Sequence, residues 1–162
     1  TLIEFKRSYF EDEVALDSFV SQCDVIVHLA GLNRHNIPSI IYNTNIGLVS
    51  SLIESLNRSK SAPHIIMSSS SQEDNDNLYG KSKKVGRSLL SDWAKEKNTI
   101  FTGMIIPNVF GPFGKPKYNS VVATFCHQLS NNETPKIEVD GELKLVYVNE
   151  LVDYIIDCII LI

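Results

Sequence analysis

The 162-residue chain is poor in several features that would mark special protein classes. It has three cysteines, Cys23, Cys126 and Cys158, odd in number, far apart and set among apolar residues. That excludes a disulfide framework or a cysteine-based metal site, and no metal is expected. It predicts reduced, buried thiols in a cytoplasmic protein. No apolar run approaches the roughly 20 residues needed to cross a bilayer. The first residues, Thr1 to Lys6, lack the basic-then-apolar layout of a signal peptide. There is no basic excess either: 15 Lys and Arg stand against 19 Asp and Glu, a net charge of −4. A nucleic-acid binder would carry a basic stripe to meet phosphates. Internal repeats and low-complexity linkers are absent. What is present is a hydrophobic content of 43%, too high for disorder and enough to bury the core of one domain.

The apolar residues alternate between two periodicities. Leu2–Phe10 reads as a weak strand or loop. Glu11–Gln22 places Val14, Leu16, Phe19 and Val20 at near-helical spacing, with acids in the first turn. Asp24–Leu29 is a short apolar run of the kind covered on both faces of a sheet. Asn43–Leu56 carries Ile46, Val49, Leu52, Ile53 and Leu56 on one helical stripe. A strand is expected over His64–Met67, then an amphipathic helix over Tyr79–Lys97 with Val85, Leu89, Leu90 and Trp93 inside and cations outside. Thr99–Pro107 reads as a strand and Val121–Leu129 as a helix. Lys136–Val139 and Lys144–Val148 read as two strands around a hairpin turn at Asp140-Gly141. Asn149 is the expected N-cap of a last helix that runs to Ile162. Alternation of this kind predicts an α/β fold, a doubly wound parallel sheet with ligands beyond the carboxyl ends of the strands. Both ends read as cut: the last helix closes on an apolar run, and no glycine-rich turn precedes the first strand.

The residues able to do chemistry cluster after the predicted strands. Tyr79-Gly80-Lys81-Ser82-Lys83 opens a helix, and a tyrosine and a lysine four apart share one helical face. A free phenol, with a pKa of about 10, is a poor acid-base at neutral pH. A nearby ammonium is expected to favour the phenolate and lower that pKa, which suits proton exchange with a sugar or alcohol oxygen. Taken alone the pair also fits a surface helix with solvated lysines. Ser68-Ser69-Ser70-Ser71 follows a strand and could hold a hydroxyl or carbonyl, or be a polar loop. His28-Leu29-Ala30-Gly31 has the small residues that let a flat ligand approach the backbone, with His28 itself read as a core histidine. Pro107-Asn108-Val109-Phe110-Gly111-Pro112 is a ligand-side loop or a plain turn.

Taken together these pieces resemble the extended short-chain dehydrogenase/reductases of the NAD-dependent epimerase/dehydratase family. The matching segments are Val27-His28-Leu29-Ala30-Gly31, Asn45-Ile46-Gly47, Ser68-Ser69-Ser70, Tyr79 with Lys83, Pro107–Pro112 and Tyr147-Val148-Asn149-Glu150-Leu151. The short span between Ser70 and Tyr79, together with Lys115–Cys126, is similar to bacterial capsular-polysaccharide reductases of UDP-2-acetamido-2,6-dideoxy-4-ketohexoses. The resemblance implies a truncated Rossmann-like NAD(P)-binding domain over 1–162 with part of the substrate region. It lacks the family's N-terminal glycine-rich motif and that subfamily's C-terminal cupin domain.

Roles follow from the same resemblance. Tyr79 matches the catalytic acid-base, Lys83 the lysine on the nicotinamide ribose, and Ser70 the residue that polarises the reacting oxygen, with Ser69 the fallback. Leu29, Ala30, Gly31, Asn45, Ser68 and Pro107 match positions around the cofactor. Asn108, Tyr118, Asn119 and Ser120 match the sugar-nucleotide site, and Arg34 and His35 are weaker substrate contacts. The implied activity is reduction of a nucleotide-linked 4-keto-6-deoxy sugar for capsule or O-antigen polysaccharide, with NADPH favoured as cofactor and a UDP-sugar as substrate. A 4-epimerase is the alternative. A 4,6-dehydratase is disfavoured by Ser-Ser-Ser-Ser-Gln-Glu at the serine site, although Glu73 leaves an acid there. An inactive, partner-binding remnant is the alternative of another class. Loss of the first strand and its helix N-terminus is expected to leave an open sheet edge and weak or no cofactor binding by the isolated chain. A homodimer through Tyr79–Lys97, with Leu89, Leu90 and Trp93 as the contact stripe, is implied as well, against burial of those side chains on the chain's own sheet.

Overall fold

The computed structural model describes residues 1–137 and 140–160. The chain divides into two compact units, Thr1–Ile105 and Ile106–Ile162.

In the first unit, Leu2–Phe10 forms no strand; its end is a 3-10 helix over Arg7–Glu11. Helix α1 (Glu13–Val20) starts where the Asp12 side chain accepts the Ala15 N–H. Strand β1 (Val25–His28) follows, then α2 (Pro38–Ser59), β2 (His64–Ser70), α3 (Leu78–Lys97) and β3 (Phe101–Ile106). Helix α2 begins five residues before the stripe that announced it, because Pro38 sits in its first turn, where a missing N–H costs nothing. It stops at Lys60, which adopts a left-handed backbone. The sheet order is β1-β2-β3, and β1 pairs with β2 in parallel, Val25 opposite His64 and His28 opposite Met67.

The core lies where the helices meet this sheet. Leu16 and Val20 from α1, Val49, Leu52 and Leu56 from α2, and Leu90, Trp93 and Ala94 from α3 pack with Ile26, Ile65 and Met67 of the strands. Two expectations for α3 change here. Val85 and Leu89 lie on the exposed side, because the 3.6-residue period carries the buried face through Ser82, Lys83, Gly86, Leu90 and Trp93. Leu90 and Trp93 are therefore core residues and not part of an outward contact stripe; of the three residues named for one, only Leu89 is exposed.

In the second unit, β4 (Asn108–Phe110) pairs in parallel with β5 (Leu145–Tyr147), and α4 (Val121–Ser130) and α5 (Val148–Ile160) complete it. The Asp140-Gly141 hairpin does not form as read. Lys136 and Ile137 are in no strand, Glu138 and Val139 lie outside the described residues, and β5 takes β4 as its partner. A tertiary pairing here overrides a local turn signal. Asn149 is not an N-cap, since the helix already includes Val148; the expected end at Leu161 and Ile162 lies outside the described residues. The cysteines are free thiols, but they are less buried than expected. Cys126 is exposed on α4, while Cys23 and Cys158 are half-buried.

Candidate active site

The first unit brings the carboxyl ends of β1 and β2 against the first turns of α3. Serines 68 to 70 are the last residues of β2 itself and not a loop beyond it. Asn77 caps α3, its side chain accepting the Gly80 N–H at 2.7 Å. A cap followed by Leu78 and Tyr79 puts the tyrosine in the first turn, facing the strand end that precedes it. The approach is close: a Cβ on Gly80 would stand 1.9 Å from the Gln72 carbonyl oxygen, so only glycine lets the helix start against this segment.

The Ser70 side chain lies by the Tyr79 phenol, where it acts to lower the phenol's pKa. Ser70 is buried and its hydroxyl also accepts the Gln72 N–H at 3.2 Å. Lys83, one turn beyond Tyr79, is buried as well. Its ammonium faces Gly31, where a Cβ would lie 3.6 Å from Nζ and 3.3 Å from the Asn45 Oδ1. Asn45 is committed in three directions: it accepts the Leu32 N–H at 2.6 Å and donates to the Leu32 carbonyl at 3.0 Å and the Ser82 hydroxyl at 2.9 Å. It thereby fixes the chain that leaves β1 through Gly31. Ser68 donates to the His28 carbonyl at 3.4 Å.

The electrostatics correct one expectation. The Tyr79 phenol is raised above its ordinary value, not lowered. Burial disfavours the phenolate and outweighs the opposing effect of Ser70, and the Lys83 charge is not among the causes. Burial likewise lowers Lys83, against the attraction of Glu73. His28 is pushed down to about 4, first by burial and second by the Lys83 charge, so it stands neutral as a core histidine.

Glu73 is no free acid. Its carboxylate takes both prongs of the Arg87 guanidinium, at 2.8 and 2.7 Å, and a hydrogen bond from Ser69. That leaves it unsuited to supplying a proton for water elimination. Arg87 and the Asn77 cap went unread in the sequence. The signal was present: acids at 73, 74 and 76 precede cations at 81, 84 and 87 on the following helix.

Gly31, Asn45, Ser68, Ser70, Tyr79 and Lys83 thus converge, while Leu29 stays exposed at the mouth and Ala30 half-buried. Arg34 is exposed, and His35 accepts the Ile37 N–H. Pro107, Asn108, Tyr118, Asn119 and Ser120 belong to the second unit. There Pro107 separates β3 from β4, Asn108 opens β4, and Ser120 caps α4 by accepting the Ala123 N–H. Lys115 stands over the Tyr118 ring at 5.4 Å, and Asn119 is exposed. A cavity of about 570 Å³ in this unit is lined by Phe110, Phe113, Val122, Cys126, His127 and Tyr147, among others; none of the sugar-site candidates lines it.

A parallel sheet whose strand ends meet a helix-borne Tyr/Lys pair defines a nucleotide-binding α/β class. The sequence matches the NAD dependent epimerase/dehydratase family over residues 3–159, and the chain belongs to that family. It is 33% identical over 138 residues to UDP-2-acetamido-2,6-beta-L-arabino-hexul-4-ose reductase of Pseudomonas aeruginosa, an alignment covering 85% of this chain and 37% of the relative. The capsular polysaccharide assembling protein CapF of Staphylococcus aureus is similar at 36% identity with a TM-score of 0.75, over 91% of this chain and 39% of that one. A UDP-glucose 4-epimerase of Thermotoga maritima shares the fold, with a TM-score of 0.77 at 24% identity, over 89% of this chain and 55% of that one. The chain spans well under half the length of the Pseudomonas and Staphylococcus relatives.

The family implies a nicotinamide cofactor, and the residues fit one. The cradle at Gly31 would be filled by any side chain, and the buried Lys83 ammonium beside it has no salt-bridge partner among the described residues. Gly31 and Lys83 are the residues that would hold such a group here. Among the described residues no helix is long and apolar enough to cross a membrane, and no His/Cys/Asp/Glu group could hold a metal ion.

Proposed function

We propose that this chain is the catalytic part of a reductase that converts a nucleotide-linked 4-keto-6-deoxy sugar to the alcohol, for capsule or O-antigen polysaccharide. The observation that carries this reading is the buried Ser70 beside Tyr79, one helical turn from the buried Lys83 ammonium. A nicotinamide cofactor, NADPH favoured, supplies the hydride when bound, held by Lys83, Tyr79, Gly31, Leu29, Ala30, Asn45, Ser68 and Pro107. Ser70 donates a hydrogen bond to the ketone oxygen and aligns it. Tyr79 gives its proton to the oxygen as the alkoxide forms, and the Lys83 ammonium, which faces Gly31, would hold the cofactor's ribose. Asn108, Tyr118, Asn119 and Ser120 contact the sugar nucleotide, for which a UDP-sugar is favoured. Cytoplasmic location and pairing of two copies belong to the same reading.

The reductase reading is favoured over the 4-epimerase alternative by the 33% identity to a 4-keto-sugar reductase of Pseudomonas aeruginosa. The second reading, a non-catalytic remnant, rests on β1 having no strand on its outer side among the described residues.

The test is oxidation of NADPH by a UDP-2-acetamido-2,6-dideoxy-4-ketohexose, followed by absorbance at saturating cofactor. In the full-length protein turnover is expected, reduced by about 10²–10⁴-fold in Tyr79→Phe. A full-length Tyr79→Phe variant as fast as wild type overturns the reading.

A further inference from the structure

Three acids follow β2 and three cations line α3, and they pair in reverse order. Asp76 bridges Lys81, Asp74 bridges Lys84 and Glu73 bridges Arg87. The segment leaving β2 is thereby laid antiparallel along the helix that follows. The three pairs are not equivalent. The Asp76 and Asp74 side chains are 93% and 87% exposed, and such pairs contribute little. The Glu73 side chain is 5% exposed, is held through both oxygens and takes the Ser69 hydroxyl too. A bidentate guanidinium–carboxylate pair fixes direction as well as distance.

Its position matters for the site. Tyr79, Lys83 and Arg87 are spaced one turn apart on α3, while Ser69 and Ser70 are consecutive at the end of β2. Arg87 binds Glu73, and Glu73 binds Ser69, whose chain neighbour Ser70 lies by Tyr79. The contacts thus tie α3 to the end of β2 beside Ser70. Lys83, between Tyr79 and Arg87 on α3, faces Gly31.

We propose that Glu73 and Arg87 are a positioning pair that clamps the end of β2 onto α3, holding Ser70 against Tyr79 and leaving Lys83 the unbridged ammonium turned to the cofactor side. The function of the clamp rests on the reductase reading above; its geometry does not. Neither residue touches the reacting atoms. Glu73 adds a second effect, since its buried negative charge faces Lys83 while His28 faces the same ammonium from β1.

The experiment follows Lys83 and Tyr79 directly, by NMR titration of ¹³C-labelled lysine and tyrosine in the chain without cofactor or substrate. Glu73→Gln keeps the shape and an acceptor for Ser69 but removes the charge. Its Lys83 midpoint falls as the neighbouring anion is lost, and its Tyr79 midpoint rises as Ser70 moves away from the phenol. Arg87→Lys keeps the charge but not the fork, and moves only the Tyr79 midpoint. Lys81→Gln, at an exposed pair, moves neither. In turnover, Glu73→Gln lowers kcat by about 10²-fold with KM unchanged, as expected for slackened alignment. Inactive wild type with these titration shifts present would sink the reductase reading and leave the clamp standing. Wild-type midpoints in folded Glu73→Gln overturn the clamp. If that variant does not fold, an unmoved Tyr79 midpoint in Arg87→Lys overturns it.

Discussion

Acid should weaken the first unit through His28 before it protonates the carboxylates. His28 ends β1 and is buried, and its imidazole is pushed from 6.5 to about 4, first by burial and then by the Lys83 ammonium. Between those two values the unfolded chain binds a proton that the folded chain refuses. Unfolding free energy therefore falls as pH falls; the contribution of His28 is complete above 6.5 and gone near 4. The interval corresponds to about 3 kcal/mol, at 1.36 kcal/mol for each pKa unit. That is a large share of the roughly 5–15 kcal/mol by which domains are stable. His64, lowered by burial, acts in the same direction. Glu73, Asp74 and Asp76 are lowered by Arg87, Lys84 and Lys81 respectively, so their contributions persist until pH falls below the ordinary carboxylate range. Urea unfolding at about pH 7 and about pH 4.5, with the histidine Cε1 resonances followed alongside, checks this. Lys83→Met removes the second cause, and the His28 midpoint should rise. A His28 midpoint near the ordinary value of 6.5 in the folded chain, or stability unchanged across the window, refutes the reasoning.

Two mutations test the packing that sets the site. Gly80→Ala forces a methyl to within 1.9 Å of the Gln72 carbonyl, so the first turn of α3 must shift. A loss of about 1–3 kcal/mol in urea unfolding is expected, and NMR should show altered shifts at Tyr79 and Ser70. Leu90→Ala empties a fully buried position between α3 and the sheet; about 2–5 kcal/mol of stability should go, again read by urea unfolding.

Much of this protein was legible along the chain because the signals are local. Apolar periods of two or three to four, and the acids in the first turn of α1, place β1, β2, α1 and α3 within a few residues of where they lie. The segments Leu29–Gly31, Ser68–Ser70 and Tyr79 with Lys83 carry the family pattern in the residues themselves. What needed the tertiary structure was everything set by distance in space. Parallel pairing of β4 with β5 replaced the hairpin that Asp140-Gly141 advertises. The phase of α3 turned Val85 and Leu89 outward and Lys83 inward. Burial raised the Tyr79 phenol where the neighbouring lysine alone argued for lowering it. The Glu73–Arg87 pair spans the gap from the end of β2 to the second turn beyond Tyr79, and sequence spacing does not say which acid meets which cation. Periodicity is a property of neighbours along the chain, whereas pairing, burial and field depend on which distant atoms exclude water from one another.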